Sequence, residues 1–207
     1  MADHVFTTTS SQLLHSGKIF ALRRDEVVMP GGATAIREVV EHFGAVAVVA
    51  LDEQGRIPLI YQYRHALGRR LWELPAGLLD VGGEPAHQTA GRELLEEAGL
   101  TATGWKVLVD LASTPGFSDE SVRVYLATGL TEVDRPEAHD EEADLQLQWY
   151  PLAEAAQMVF RGEIVNAIAV AGILAAYTHS QGFAELRDLG AEWIDRPRAF
   201  AARQQRP

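Results

Sequence analysis

Glu84-Pro85-Ala86-His87-Gln88-Thr89-Ala90-Gly91-Arg92-Glu93-Leu94-Leu95-Glu96-Glu97-Ala98-Gly99-Leu100 decides how this chain is read. Pro85 suits the first position of a helix and Gly99 the position just past its end, so the pattern predicts a helix over residues 85–98. Ala86, Ala90, Leu94 and Ala98 recur every four residues and form an apolar stripe. Glu93 and Glu97, four apart, share another face, and Glu96 flanks it. Like charges at this spacing cost a helix about 0.2–0.5 kcal/mol per pair. They also sit in the C-terminal half, where the helix dipole disfavours anions. Arg92 offsets part of this through its i,i+4 relation to Glu96. A local rule broken with no structural gain marks a functional site.

A divalent cation reverses the repulsion. Magnesium takes hard oxygen ligands and completes its shell with waters and substrate phosphates, which suits two or three carboxylates on one helix face. Zinc fits worse, because the chain has no Cys and its His residues do not cluster with the glutamates. A bare Glu-x-x-x-Glu pair, taken alone, reads as a solvated acidic face.

The rest of the chain sets the boundaries. Its 207 residues are 47% apolar, enough for a full core. Lys and Arg number 18 against 29 Asp and Glu, a formal charge of −11, which argues against a nucleic-acid partner. The absence of Cys excludes disulfides, Cys-ligated zinc, iron–sulfur clusters and thiol catalysis. No run approaches the ~20 apolar residues of a membrane-spanning helix. The first twenty residues lack a basic start followed by an apolar block, so the expectation is a soluble, cytoplasmic protein.

Residues 19–22, 27–29 and 36–40 read as short strands, with Pro30-Gly31-Gly32 as the turn between the last two. This segment holds too little apolar mass for a core of its own. Residues 45–51 are a continuous apolar run, the pattern of a strand buried on both faces. A turn over residues 52–56 predicts residues 57–63 as its hairpin partner. A basic loop, 64–70, then a strand at 71–74 lead to the helix. Strands are expected at 106–113, 121–128 and 145–150, and helices at 152–161 and 166–177 separated by Gly162. Residues 135–144 form a charged loop with five carboxylates, and 182–207 read as a partly frayed tail. Strands and helices do not alternate regularly, so the fold class is α+β, layered α-β-α with a mixed sheet. The division is an N-terminal β-segment, 1–43, and a main domain, 44–207.

Glu84, seven residues, then Arg92-Glu93-Leu94-Leu95-Glu96-Glu97-Ala98-Gly99-Leu100 resembles the Nudix box, with Gly77 as its glycine. One feature departs: six residues rather than five separate Gly77 from Glu84, which lengthens the loop and leaves the helix register intact. The resemblance implies an α-β-α Nudix sandwich and hydrolysis of a nucleoside diphosphate linked to a moiety X. It implies Glu93 and Glu97 as principal metal ligands, Glu96 in support, and the carbonyl of Ala76 as a further ligand. Arg92 would act in catalysis by orienting the glutamates, and Glu84 would be an outer partner. The metal would be Mg²⁺ or Mn²⁺.

Pro115, fifteen residues beyond Leu100 and followed by Ser118 and Glu120, resembles the ADP-ribose pyrophosphatase subgroup. So does Arg37-Glu38-Val39-Val40-Glu41, the end of an N-terminal segment that in this subgroup pairs with a second subunit and donates substrate contacts. The resemblance therefore implies a homodimer that hydrolyses ADP-ribose to AMP and ribose 5-phosphate. It implies Arg37, Arg64, Glu73 and Glu120 as substrate-binding residues. Arg64 suits the role because guanidinium grips phosphate in a bidentate way. The general base would lie on the acidic loop, at Glu142 with Glu141 as runner-up. Two alternatives stay open: another nucleoside diphosphate-X as substrate, or a module that senses ADP-ribose without cleaving it. Against the second, every box carboxylate is present.

Overall fold

The structure is a computed structural model and describes residues 4–135 and 144–204. Along the chain come β1 (Thr8–Ser16), β2 (Phe20–Val28), β3 (Thr34–His42), β4 (Ala45–Ala50), β5 (Arg56–Arg64), β6 (Arg69–Glu73) and β7 (Ala76–Leu78). Then follow α1 (Ala86–Ala98), β8 (Leu100–Ala112), β9 (Ser121–Glu132), β10 (Gln146–Pro151), α2 (Leu152–Phe160), α3 (Ala167–Ser180) and α4 (Ala199–Gln204). The residues fall into a larger unit, Ala45–Leu111 with Val122–Ile194, and a smaller one, Met1–Gly44 with Ala112–Ser121 and Asp195–Pro207.

The larger unit is organised by β4, all six of whose residues are buried. Successive side chains of a strand point to opposite faces. Ala45, Ala47 and Val49 accordingly join Leu152 of α2 and Ala169 and Ile173 of α3 in one core cluster. Val46, Val48 and Ala50 join Ala90, Leu94 and Ala98 of α1 in another. One sheet, ordered β7-β4-β9-β8, thus carries α1 on one face and α2 with α3 on the other. The sheet is mixed: β4 runs antiparallel to β7 and parallel to β9. Leu94 is wholly buried, and its truncation to Ala costs about 2–5 kcal/mol.

The expected β4–β5 hairpin does not form. Both edges of β4 are taken, by β7 and β9, so β5 has nowhere to add. It pairs instead with β6 and β10 in a second, three-stranded sheet. The turn between β4 and β5 is tightened by Asp52 Oδ1, which accepts from the backbone N–H of Gln54 and of Arg56.

Helix α1 begins one residue later than expected, because Pro85 holds an extended conformation as the cap rather than the first helical residue. Its end is as expected: Gly99 adopts φ +64° and its N–H closes on the carbonyls of Leu94 and Leu95. Helix α3 starts behind Asn166, whose side chain accepts from Ala169 N–H at 3.0 Å.

In the smaller unit β1, β2 and β3 form an antiparallel sheet. The first two expected strands are one, β2. Strand β1, TTSSQLLHS, went unread because all nine residues are exposed and carry no alternation. The expectation of a partly frayed tail is also corrected. Helix α4 places Phe200, fully buried, on Phe43 with ring centroids 4.5 Å apart, and Arg203 pairs with the buried Glu41. In the larger unit Trp193 is buried, and Val107 of β8 donates its N–H to the Arg187 carbonyl at 2.9 Å. Among the described residues no helix is long and apolar enough to cross a membrane.

Candidate active site

The box residues meet where α1 packs against β7. Glu97 is buried on the helix side facing that strand, and its Oε2 accepts from Ala76 N–H at 2.8 Å. Ala76 is fixed in turn by its pairing with Ala47 of β4. Beside it, Gly77 leaves room for Glu93: a β-carbon there would stand 2.1 Å from Cδ and 2.2 Å from Oε1 of that glutamate.

Arg92 gathers three carboxylates. Its Nη1 donates to Glu93 Oε1 at 2.7 Å and to Glu96 Oε2 at 2.9 Å, and Nη2 stands 3.5 Å from Glu84 Oε2. Glu84 Oε2 also accepts from Thr89 Oγ1 at 2.8 Å. Burial pushes the Glu93 carboxyl up to about 7; the Arg92 charge opposes this, and the charges of Glu96 and Asp80 add to it.

Among the described residues no three His, Asp or Glu side chains converge as a ready-made metal cluster. Glu93 and Glu96 both close on Arg92, and Glu97 closes on a backbone N–H. The donor set nevertheless fits a hard divalent cation. All its atoms are carboxylate or carbonyl oxygens, and Gly77 leaves space in front of Glu93.

The other expected residues lie as follows. Arg64 of β5 is held by Glu73 of β6 through Nε at 2.9 Å and Nη2 at 2.7 Å, and Glu73 is buried. Arg70 pairs with Asp144, and Arg135 Nε donates to the Glu96 carbonyl at 3.1 Å. Glu142 and Glu141 lie outside the described residues. Arg37 and Glu120 belong to the smaller unit, where Arg37 Nη1 donates to the Ile36 carbonyl at 2.8 Å. The Glu120 carboxylate lies 3.7 Å from His42 Nδ1.

Sequence reasoning missed Thr89, although a polar residue beside Ala90 in the apolar stripe is a readable signal. It also missed Asp119. Its Oδ1 accepts from His42 N–H at 2.8 Å, and with backbone bonds between Val40, Phe117 and Asp119 this ties residues 114–120 to β3. No sequence pattern announces that contact. A cavity of about 290 Å³ near Asp52, Arg56, Leu130 and Trp149 contains none of the box carboxylates.

A NUDIX domain matches residues 41–168, well over half the chain and spanning the whole α1 constellation. The chain belongs to the Nudix family. Nudix hydrolases in general need a divalent metal, in keeping with the oxygen donor set on α1. Ahead of the Nudix domain, residues 6–40 match a nucleoside diphosphate sugar hydrolase N-terminal domain. The chain is 69% identical over 204 residues to the ADP-ribose pyrophosphatase of Mycobacterium tuberculosis (strain ATCC 25618 / H37Rv), covering 99% of both chains. It is 36% identical to the methanol dehydrogenase activator of Bacillus methanolicus, over 80% of this chain and 89% of that one. Its Nudix fold is shared with a crystal structure of an ADP compounds hydrolase, at a TM-score of 0.74 and 19% identity, over 89% of this chain and 100% of the other.

Proposed function

We propose that this Nudix protein is a metal-dependent ADP-ribose pyrophosphatase that works in the cytoplasm as a homodimer. The observation that carries the reading is the full-length 69% identity to an enzyme of that name, together with a complete set of box carboxylates. Water adds across the pyrophosphate; one phosphate leaves on adenosine as AMP, the other on the sugar as ribose 5-phosphate.

Glu93 and Glu97, with Glu96 and the Ala76 carbonyl, hold the cation, Mg²⁺ or Mn²⁺. When bound, a cation of this kind neutralises pyrophosphate charge and polarises the phosphoryl oxygens. Arg92 orients the glutamates through its hydrogen bonds to Glu93 and Glu96. Arg64, braced by Glu73, grips a phosphate, and Arg37 and Glu120 contribute further substrate contacts. Glu142, or Glu141 beside it, takes the proton from the attacking water. The dimer reading is supported by the N-terminal sheet, whose outer strand β1 is wholly exposed and carries Leu13 and Leu14.

The match of residues 6–40 to a nucleoside diphosphate sugar hydrolase domain favours a second reading, in which X is a sugar other than ribose 5-phosphate. Chromatography of products from ADP-ribose and from a panel of sugar nucleotides, with Mg²⁺, Mn²⁺ or a chelator, separates the two. AMP from ADP-ribose that disappears with the chelator is the expected result. No AMP with either metal, or turnover that ignores the chelator, overturns the proposal.

A further inference from the structure

We infer that Thr89 is a positioning residue of the site: its hydroxyl aims Glu84, Glu84 anchors the guanidinium of Arg92, and Arg92 sets where Glu93 and Glu96 stand. The inference rests on the cation-binding reading of these carboxylates given above.

Thr89 lies on α1 beside the apolar stripe and is 1% exposed. A hydroxyl removed from water needs a partner. In a helix that partner is commonly the carbonyl one turn back. Here the hydroxyl instead donates to Glu84 Oε2 at 2.8 Å, reaching past the start of α1. An ionised acceptor makes this bond roughly twice as strong as a neutral one. Glu84 itself precedes the helix, so no helical backbone restrains its side chain. The bond from Thr89 gives the carboxylate its direction.

That direction matters because of how Arg92 is held. Nη2 faces Glu84 Oε2, and Nη1 is shared between Glu93 and Glu96. Among the described residues the buried Nε of Arg92 has no hydrogen-bond partner. A guanidinium fastened only through its outer nitrogens pivots about its stem when one fastening is lost. Release of Glu84 therefore moves Nη1 and lets Glu93 and Glu96 reorient. Outer partners of metal ligands typically carry 10–100-fold in metal affinity or activity.

The test compares wild type with Thr89→Val, which keeps the shape and lacks the hydroxyl, and Thr89→Ser, which keeps the hydroxyl and lacks the methyl. Mn²⁺ binding to the metal-free protein is measured by calorimetry, kcat and KM with ADP-ribose, and the Arg92 guanidinium signals by NMR without metal. In Thr89→Val, Mn²⁺ affinity or kcat falls about 10–100-fold with KM little changed, and the Arg92 signals shift; Thr89→Ser restores all three. Wild-type values in Thr89→Val overturn the inference, as does equal impairment in Val and Ser, which assigns the effect to the methyl group. If Thr89→Val does not fold, Thr89→Ala is read by the same criteria. A wild type that neither binds Mn²⁺ nor cleaves ADP-ribose fails the cation reading alone. The Arg92 signals then decide the Thr89 chain separately.

Discussion

Gly77 and Glu93 share one space: a β-carbon on the glycine would lie 2.1 Å from the carboxyl carbon of the glutamate. The obstructed atoms are the far end of a flexible side chain, so the fold can yield where the site cannot. Gly77→Ala should keep the melting temperature near wild type and lower kcat/KM by about 10²-fold, the effect of displacing a reacting group by an ångström. Thermal melts and kinetics on the same preparation check it. A variant with full activity would show that Glu93 needs no such seat.

The choice of base is open to direct measurement. Glu142→Gln should lower kcat by about 10²–10⁴-fold with KM little changed, because the base acts on water rather than on the sugar. Glu141→Gln is the control. A crippled Glu141→Gln beside an active Glu142→Gln moves the role one residue; two active variants move it off the loop.

If Arg37 serves the partner subunit's site, two inactive variants should rescue each other. Arg37→Ala and Glu97→Gln, each impaired alone, should regain activity when co-expressed, because the mixed dimer holds one site with neither change. Sedimentation should show a dimer for both. Co-expressed dimers with no recovery would place Arg37 in its own subunit's site or in none.

Asp110 gives the fold an acid-sensitive joint. Burial raises its carboxyl, but hydrogen bonds from Arg123 and Arg187 outweigh this and hold it below the ordinary carboxylate range. Arg123 is buried, stacks over Trp193 and donates to the carbonyls of Ala191 and Glu192. A group with a lowered native pKa stabilises above its unfolded pKa, and that contribution fades as pH falls through the native value. Asp110→Asn should thus cost about 3 kcal/mol at pH 7, near the low end for breaking a buried pair because Asp110 is partly exposed. Denaturant titrations should show the gap to wild type narrowing below about pH 4. A gap constant from pH 7 to pH 3 would contradict the pairing.

The C-terminal helix should be needed by the N-terminal sheet. Glu41 is wholly buried and is shared by Arg23 and Arg203, and Phe200 packs on Phe43. Phe200→Ala should cost about 3–5 kcal/mol where that cluster unfolds. Hydrogen exchange at β3 amides should quicken accordingly; unchanged exchange would make α4 a passive tail.

Some elements were legible from local signals alone. Residues 45–51 are apolar at every position, a run that suits a strand buried on both faces, as β4 is. Pro85 and Gly99 bracket α1 because cap positions follow from the chemistry of a residue or two. Glu93, Glu96 and Glu97 declared themselves by a repulsion that a helix does not accept without reason. Tertiary structure alone decided the rest. The turn over residues 52–56 says that a strand follows at 57–63 but not which strand it joins; that was settled by β7 and β9 occupying both edges of β4. The polar β1 and the tail carrying Phe200 have no local pattern: β1 is placed by pairing with the neighbouring β2, and the tail by Phe43, far along the chain. The same holds in the site. Spacing put Arg92 beside Glu96, but only the packing of α1 on β7 brought Glu97 to the Ala76 amide and Glu93 over Gly77. Helical periodicity fixes neighbours within one element, whereas contacts between elements depend on which edges and faces the remaining chain leaves open.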